Sequence, residues 1–180
     1  MFSSVETDHR IFYKITGVGH WFTFTLSPPK FWRDGREESS TRESSVSFSS
    51  PLHRDTAYCC LYSTLHYWLY QIRTNCRDFN PSDLGHLPIP ESVFRGVGDF
   101  RTLSKKIMNR LMETSTVGSA TYAVGGAVTY QRFTPKLAKE FFDKTDEILA
   151  REIGLSDRQL DFILNYDIKY RLGQDSEGST

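Results

Sequence analysis

Cysteine is scarce in this chain and carries no pattern. There are three, Cys59, Cys60 and Cys76, an odd number with no C-x-x-C pair, which excludes a disulfide framework and a zinc ribbon of ordinary spacing. Two adjacent thiols in an apolar stretch act as small hydrophobes, and this usage fits a reducing compartment, so a cytoplasmic setting is expected. The five histidines show no ligand spacing with one another or with cysteine, so no metal is expected. No apolar run approaches the roughly 20 residues of a membrane span. Residues 1–10, MFSSVETDHR, lack the basic-then-apolar pattern of a secretory leader; no membrane partner is expected. Charge of one sign is missing too. The 22 basic and 22 acidic residues cancel, which excludes a global electrostatic footprint and leaves any polyanion binding to local patches. Neither a Ser/His/Asp set nor a carboxylate pair can be argued from residue order, so no catalytic residue is assigned.

What the chain has in quantity is rings. Its 13 Phe, 9 Tyr and 3 Trp make up 14% of 180 residues, enough for a substantial core. Six of them fall within residues 57–90. Leu61, Leu65, Trp68, Leu69 and Ile72 recur at helical spacing, and Tyr58, Tyr62 and Tyr70 widen that face into one suited to burial on more than one side. Turn formers from Thr74 to Pro81 end the helix near Asn75. Leu87-Pro88-Ile89-Pro90 then reads as a stiff extended clip, because each proline fixes its own backbone and restricts its neighbour. The unit is expected to hold a polar loop, carrying Arg77 and Asn80, at a fixed place.

Around it the pattern predicts α+β. Residues 9–16 and 20–25 alternate as strands about Gly17-Val18-Gly19, a hairpin. Residues 26–43 read as a long polar connection, which inside a compact domain points to function or disorder. A short strand is expected at 44–49, an irregular stretch at 91–98, a helix at 99–113, a loop at 115–126 and a short strand at 127–133. Thr134-Pro135 opens a helix running to about residue 153, with Lys136/Glu140 and Glu140/Lys144 pairs. Gly154 stops it, and Ser156 with Gln159 forms a capping box for the last helix. The expected architecture is a small, mostly antiparallel sheet packed on the aromatic helix. Residues 9–98 form the core, 99–173 a helical extension and 174–180 a disordered tail.

Two short motifs fail on context. Phe94-Arg95-Gly96-Val97-Gly98 matches a glycine turn for S-adenosylmethionine, but a proline-rich segment precedes it where a buried strand is required. Ser27-Pro28-Pro29-Lys30 lacks the aromatic residue that would stack on a flipped base. The loops are more informative. Arg33, Arg36 and Arg42, with Ser39 and Ser40 between them, lie in one polar segment; Lys14, His20 and Trp21 lie at or near strand ends; Arg77 and Asn80 follow the helix. Guanidinium forks suit guanine edges or phosphates, Asn suits adenine, and rings stack or wedge. These ten residues are the candidate DNA-contacting set. An ordinary solvated loop is the bland alternative. Lys105, Lys106 and Arg110 on one helix face could also meet phosphates or be merely solvated.

Several blocks together carry a resemblance. I11-F-Y-K-I-T-G-V-G-H-W, S39-S-T-R-E-S, L61-Y-S-T-L-H-Y-W-L-Y, C76-R-D-F-N-P-S-D-L and L87-P-I-P occur in order, and D161-F-I-L-N-Y-D-I-K-Y-R-L-G ends the stretch 141–173. They resemble the TaqI-type specificity, or target-recognition, domain of adenine-specific DNA methyltransferases of restriction–modification and phage defence. Tyr62 stands where that family often has Asn, and Cys76 where a small or acidic residue is frequent. The resemblance implies a module that recognises double-stranded DNA sequence-specifically. Methyl transfer to adenine would reside on a separate methyltransferase catalytic domain or subunit. S-adenosylmethionine would be bound there, with no cofactor in this chain. Because base-reading residues vary with target in such domains, no individual contact carries over. A second reading is a protein-docking module that binds the catalytic subunit without reading DNA; a third, a small complete methyltransferase using residues 94–98.

Overall fold

The computed structural model describes residues 7–85, 89–95, 99–123 and 126–172. It is α+β, as expected, with two small antiparallel sheets rather than one. In the first, β1 (Arg10–Lys14) lies between β2 (Phe24–Thr25) and β5 (Glu43–Ser47). In the second the order is β4 (Arg36–Glu37), β3 (Phe31–Arg33), β7 (Gly126–Arg132), β6 (Thr116–Tyr122). The helices are α1 (Pro51–Tyr62), α2 (Thr64–Arg73), α3 (Glu91–Phe94), α4 (Phe100–Glu113), α5 (Lys139–Ile153), α6 (Asp157–Asn165) and α7 (Ile168–Leu172).

The alternation of β1 divides its two faces. Ile11 and Tyr13 are buried against the helices, while Phe12 and Lys14 point the other way. Behind β1 lies the aromatic core. Phe22 meets Tyr70 and Phe79 edge-on at 5.0 and 5.3 Å, and Phe24 meets Tyr62 and Phe79 edge-on, both at 5.3 Å. Each such pair adds about 0.5–1.5 kcal/mol beyond its area burial. Tyr62 also completes the sheet edge. Its hydroxyl donates to the Phe24 carbonyl at 2.6 Å and accepts from the Phe24 amide at 2.9 Å. One side chain thus satisfies both backbone groups of that strand residue.

The central helix is two helices. It begins at Pro51 rather than near Ala57, with the Ser50 side chain accepting from the His53 amide, and it breaks at Ser63. Ser63 is extended, at φ −60° and ψ 148°; its hydroxyl donates to the Cys60 carbonyl at 2.6 Å and accepts from the His66 amide at 3.0 Å. The next two amides, of Thr64 and Leu65, donate to the Asp146 carboxylate of α5 at 2.8 and 3.0 Å. A buried break needs such partners, and they come from 82 and 81 residues away. Ile72, in the last turn of α2, is 57% exposed, although the helical spacing places it on the apolar face with Leu65 and Leu69.

Four further expectations are corrected. The segment 26–43 is not a loop throughout: β3 and β4 form a hairpin across Asp34-Gly35, both at positive φ (48° and 78°), the geometry that Asp-Gly favours in a two-residue turn. Residues 115–126 are not a loop, since β6 pairs with β7 from Thr116↔Arg132 to Tyr122↔Gly126. In it Gly118 makes room for the Tyr130 ring, which would lie 2.8 Å from a Cβ there. Residues 91–94 are a short helix, not irregular. The second strand is also shorter than residues 20–25, its ladder beginning at Phe24.

Past residue 98 the expected helix at 99–113 forms with Asp99 as its cap, and Gly154 ends α5 at φ 74°. The Ser156/Gln159 box is present. Thr134 makes no side-chain cap, and Pro135–Ala138 is a 3₁₀ turn before α5. Glu140 is held by Arg110 of α4 at 3.0 Å, and Lys139 pairs with Asp143 at 2.6 Å. The stretches 9–98 and 99–173 share both a sheet, through β3 and β7, and one core that contains Phe100, Ile107, Leu111 and Phe142. The apolar clip at Leu87-Pro88, the glycines of residues 96–98 and the tail from 173 lie outside the described residues. Among the described residues no helix is long and apolar enough to cross a membrane.

Candidate nucleic-acid interface

The outward face of the first sheet looks across a cleft at one face of the second. Period-two geometry selects the residues. From the first sheet come Phe12 and Lys14, with Glu43 opposite Lys14 in register. From the second come Phe31 and Arg33, paired with Tyr130 and Val128, and then Arg132 and Tyr122. Ser40, Thr41 and Arg42 close one side, and the enclosed volume is about 630 Å³. Among the described residues four cations, Lys14, Arg33, Arg42 and Arg132, line this cleft against one acid, Glu43.

The electrostatics follow from that crowding. Arg132 donates to the Tyr130 hydroxyl at 3.3 Å; this bond, helped by the charges of Arg132, Lys14 and Arg42, holds the phenol below its ordinary pKa. Glu43 is partly buried, and desolvation pushes its carboxyl up to about 7 against the pull of Lys14. Its carboxylate makes no hydrogen bond or ion pair among the described residues. The guanidinium of Arg42 lies 5.9 Å from the Tyr122 ring centre, and that of Arg33 lies 6.0 Å from Phe31, with Glu38 3.4 Å from its Nε. Rings and forks are thus interleaved along one concave wall.

The ten sequence candidates divide. Lys14, Arg33, Ser40 and Arg42 line the cleft. Arg36, opposite Arg33 in the hairpin, and Ser39 are exposed beside it. Lys14 also borders a shallower hollow with His20 and Trp21, but these two are engaged by the C-terminal segment. The Trp21 indole donates to the Arg171 carbonyl, the Arg171 guanidinium sits 4.0 Å from its ring centre, and His20 stacks on Tyr170 at 6.3 Å. Arg77 and Asn80 lie outside both depressions. Asn80 donates to Asp83 from its backbone and side chain at 2.7 and 3.5 Å, which pins the turn. Arg77 is exposed, and its carbonyl accepts from the Val18 amide at 3.5 Å. On α4, Lys105 and Lys106 are exposed and Arg110 is paired with Glu140.

Sequence reading missed Tyr122, Tyr130 and Arg132. Their signal was an alternation, T-Y then V-T-Y-Q-R, hidden by the small residues of β6. It also missed Glu43 as a wall residue. Among the described residues no group of His, Cys, Asp and Glu could hold a metal ion. Comparison of the chain with family models, curated proteins and solved structures finds no match in any of the three.

Proposed function

We propose that this chain is a DNA-recognition module, the specificity part of an adenine-specific DNA methyltransferase whose catalytic domain or subunit supplies S-adenosylmethionine binding and methyl transfer. The observation that carries the reading is the cleft, where Lys14, Arg33, Arg42 and Arg132 are gathered within a neutral chain. Cations at that density neutralise phosphates, and neighbouring rings supply stacking surface. Support for the methyltransferase context is the resemblance of the ordered blocks, including the closing block that contributes Arg171. A cytoplasmic location follows from that context. The module is expected to grip duplex DNA and hand it to the methylating partner.

The test is titration of the chain against duplex DNA at two or more salt concentrations. Four phosphate contacts give a slope of log K on log salt of about −3 to −4, near −0.9 per phosphate. An absence of binding at low salt, with and without a catalytic partner, rejects the reading.

The docking reading has its own observation. Phe162 of α6 is 53% exposed and Ile72 of α2 57% exposed, with Trp68 of α2 edge-on to Phe162 at 6.5 Å. Such a patch suits a protein partner. Unchanged DNA affinity of the assembled enzyme after Arg42→Ala and Arg132→Ala would favour it.

A further inference from the structure

The cleft contains more than a phosphate groove requires. Cations stand along it, the rings of Phe31, Tyr122 and Tyr130 face into it, and Glu43 is the single carboxylate among the described residues that line it. Its volume of about 630 Å³ lies within the range of about 300–1,000 Å³ typical of small-ligand sites. An ionised carboxylate only accepts hydrogen bonds. Facing a phosphodiester it repels; partly buried with no hydrogen bond among the described residues, as Glu43 is, it is costly. Among the described residues the other charged side chains lining the cleft are cationic: Lys14 from β1, Arg42 next in the chain, Arg33 from β3, whose Nε also lies 3.4 Å from Glu38, and Arg132 from β7. The complementary ligand therefore combines a phosphate for the cations, a flat ring for the aromatics and adjacent N–H donors for Glu43.

Among the bases one edge meets the last requirement fully. Guanine presents N1–H and N2–H side by side, two parallel donors matching the two oxygens of a carboxylate. Adenine and cytosine place an acceptor beside their amine, and thymine flanks its single donor with two carbonyls. In a duplex that guanine edge is occupied by cytosine, so it is available only from an unstacked residue.

We propose that the cleft between the two sheets binds one unstacked guanine nucleotide, with Glu43 accepting from N1–H and N2–H, Tyr130 or Tyr122 stacking on the base, and Arg42 and Arg132 holding its phosphate. This deepens the DNA-recognition reading and rests on its assignment of the cleft to nucleic acid. The ligand chemistry is the same for a free nucleotide and for a residue within a strand.

The experiment is a fluorescence or calorimetric titration of the chain at low salt with thymidine pentamers carrying one central dG, dA or dC, and with guanosine monophosphate. The dG pentamer is expected to bind about tenfold or more tighter than the others, as one bidentate pair allows. Glu43→Gln should erase the preference, and Tyr130→Ala should weaken all three. Affinity for the dG pentamer should rise from pH 6 to 8, as Glu43 ionises. Equal affinities in the native chain, or a preference that survives Glu43→Gln, overturn the proposal. Guanosine monophosphate binding as tightly as the pentamer supports it with a free nucleotide as ligand; binding of the pentamer alone supports it with a strand. Salt-dependent duplex binding without a base preference overturns this proposal and leaves the DNA-recognition reading standing. A guanine preference without duplex binding does the reverse.

Discussion

The guanidinium of Arg171 lies 4.0 Å from the centre of the Trp21 ring, and the Trp21 indole donates back to the Arg171 carbonyl across 150 residues of sequence. Tyr67 covers the same guanidinium at 4.4 Å, while the Thr64 hydroxyl accepts from it at 3.0 Å and the His20 carbonyl at 3.4 Å. The end of the described chain is therefore fastened to the loop that precedes β2. This fixes the loop beside Lys14, and with it one margin of the cleft.

Arg171→Ala should lower the unfolding free energy by about 2 kcal/mol or more, because a desolvated cation–ring contact is worth about that much and two rings are involved. Arg171→Lys should recover only part of it, since an ammonium lacks the flat fork that fits between two rings. Denaturant titration of the three chains is the measurement. Equal midpoints would mean that the latch contributes nothing.

Asp146 sets a pH dependence. Burial raises its carboxyl from 3.8 to about 6, against the hydrogen bonds from Leu65 and Thr64 that favour the ionised form. A group raised in the folded state binds its proton more tightly there than in the unfolded chain. Its contribution to stability is complete below about pH 4 and is lost as pH rises through about 6. Asp146→Asn should flatten the fall in stability between pH 4 and 7. Asp146→Ala, which leaves two buried amides unpaired, should cost about 2–5 kcal/mol. Unfolding measured across that pH range checks both.

The cations of the cleft should act additively on salt dependence. Arg42→Ala combined with Arg132→Ala should reduce the slope of log K against log salt by about 2, one for each phosphate no longer neutralised. Arg77→Ala, outside the cleft, should leave the slope unchanged. Titration of the variants against one duplex at several salt concentrations decides this, and an Arg77 effect as large as that of Arg42 would move the interface elsewhere.

Gly118 tests the cleft wall without removing a polar group. A methyl there would stand 2.8 Å from the Tyr130 ring, so the ring must shift. Gly118→Ala should weaken nucleic-acid binding severalfold while the midpoint of thermal unfolding moves little, β6 being an edge strand. Paired binding and melting curves distinguish a displaced ring from a disrupted fold.

Local signals were legible where the physics is local. The alternation of β1, the Gly154 stop and the Ser156/Gln159 box are all set within a few residues, and each stands where the pattern put it. The Asp34-Gly35 turn was equally local and was obscured by the polar residues around it. The break at Ser63 was not legible. The apolar spacing runs straight through it, and the carboxylate that makes it tolerable arrives from α5.

The same division holds for the site. Arg33 and Arg42 drew notice because a guanidinium in a polar segment is visible in one dimension. Arg132 and Tyr130 did not, because only the pairing of β7 with β3 brings them to the same face. By itself the order of residues determined the aromatic core, the α+β class and the cation-bearing segments, since hydrophobic periodicity and turn chemistry act between near neighbours. The tertiary structure alone decided which cations share a cavity and which rings are held by Arg171. It also left Glu43 facing open space among positive charges. Each of these depends on strand register and on contacts between residues far apart in the chain.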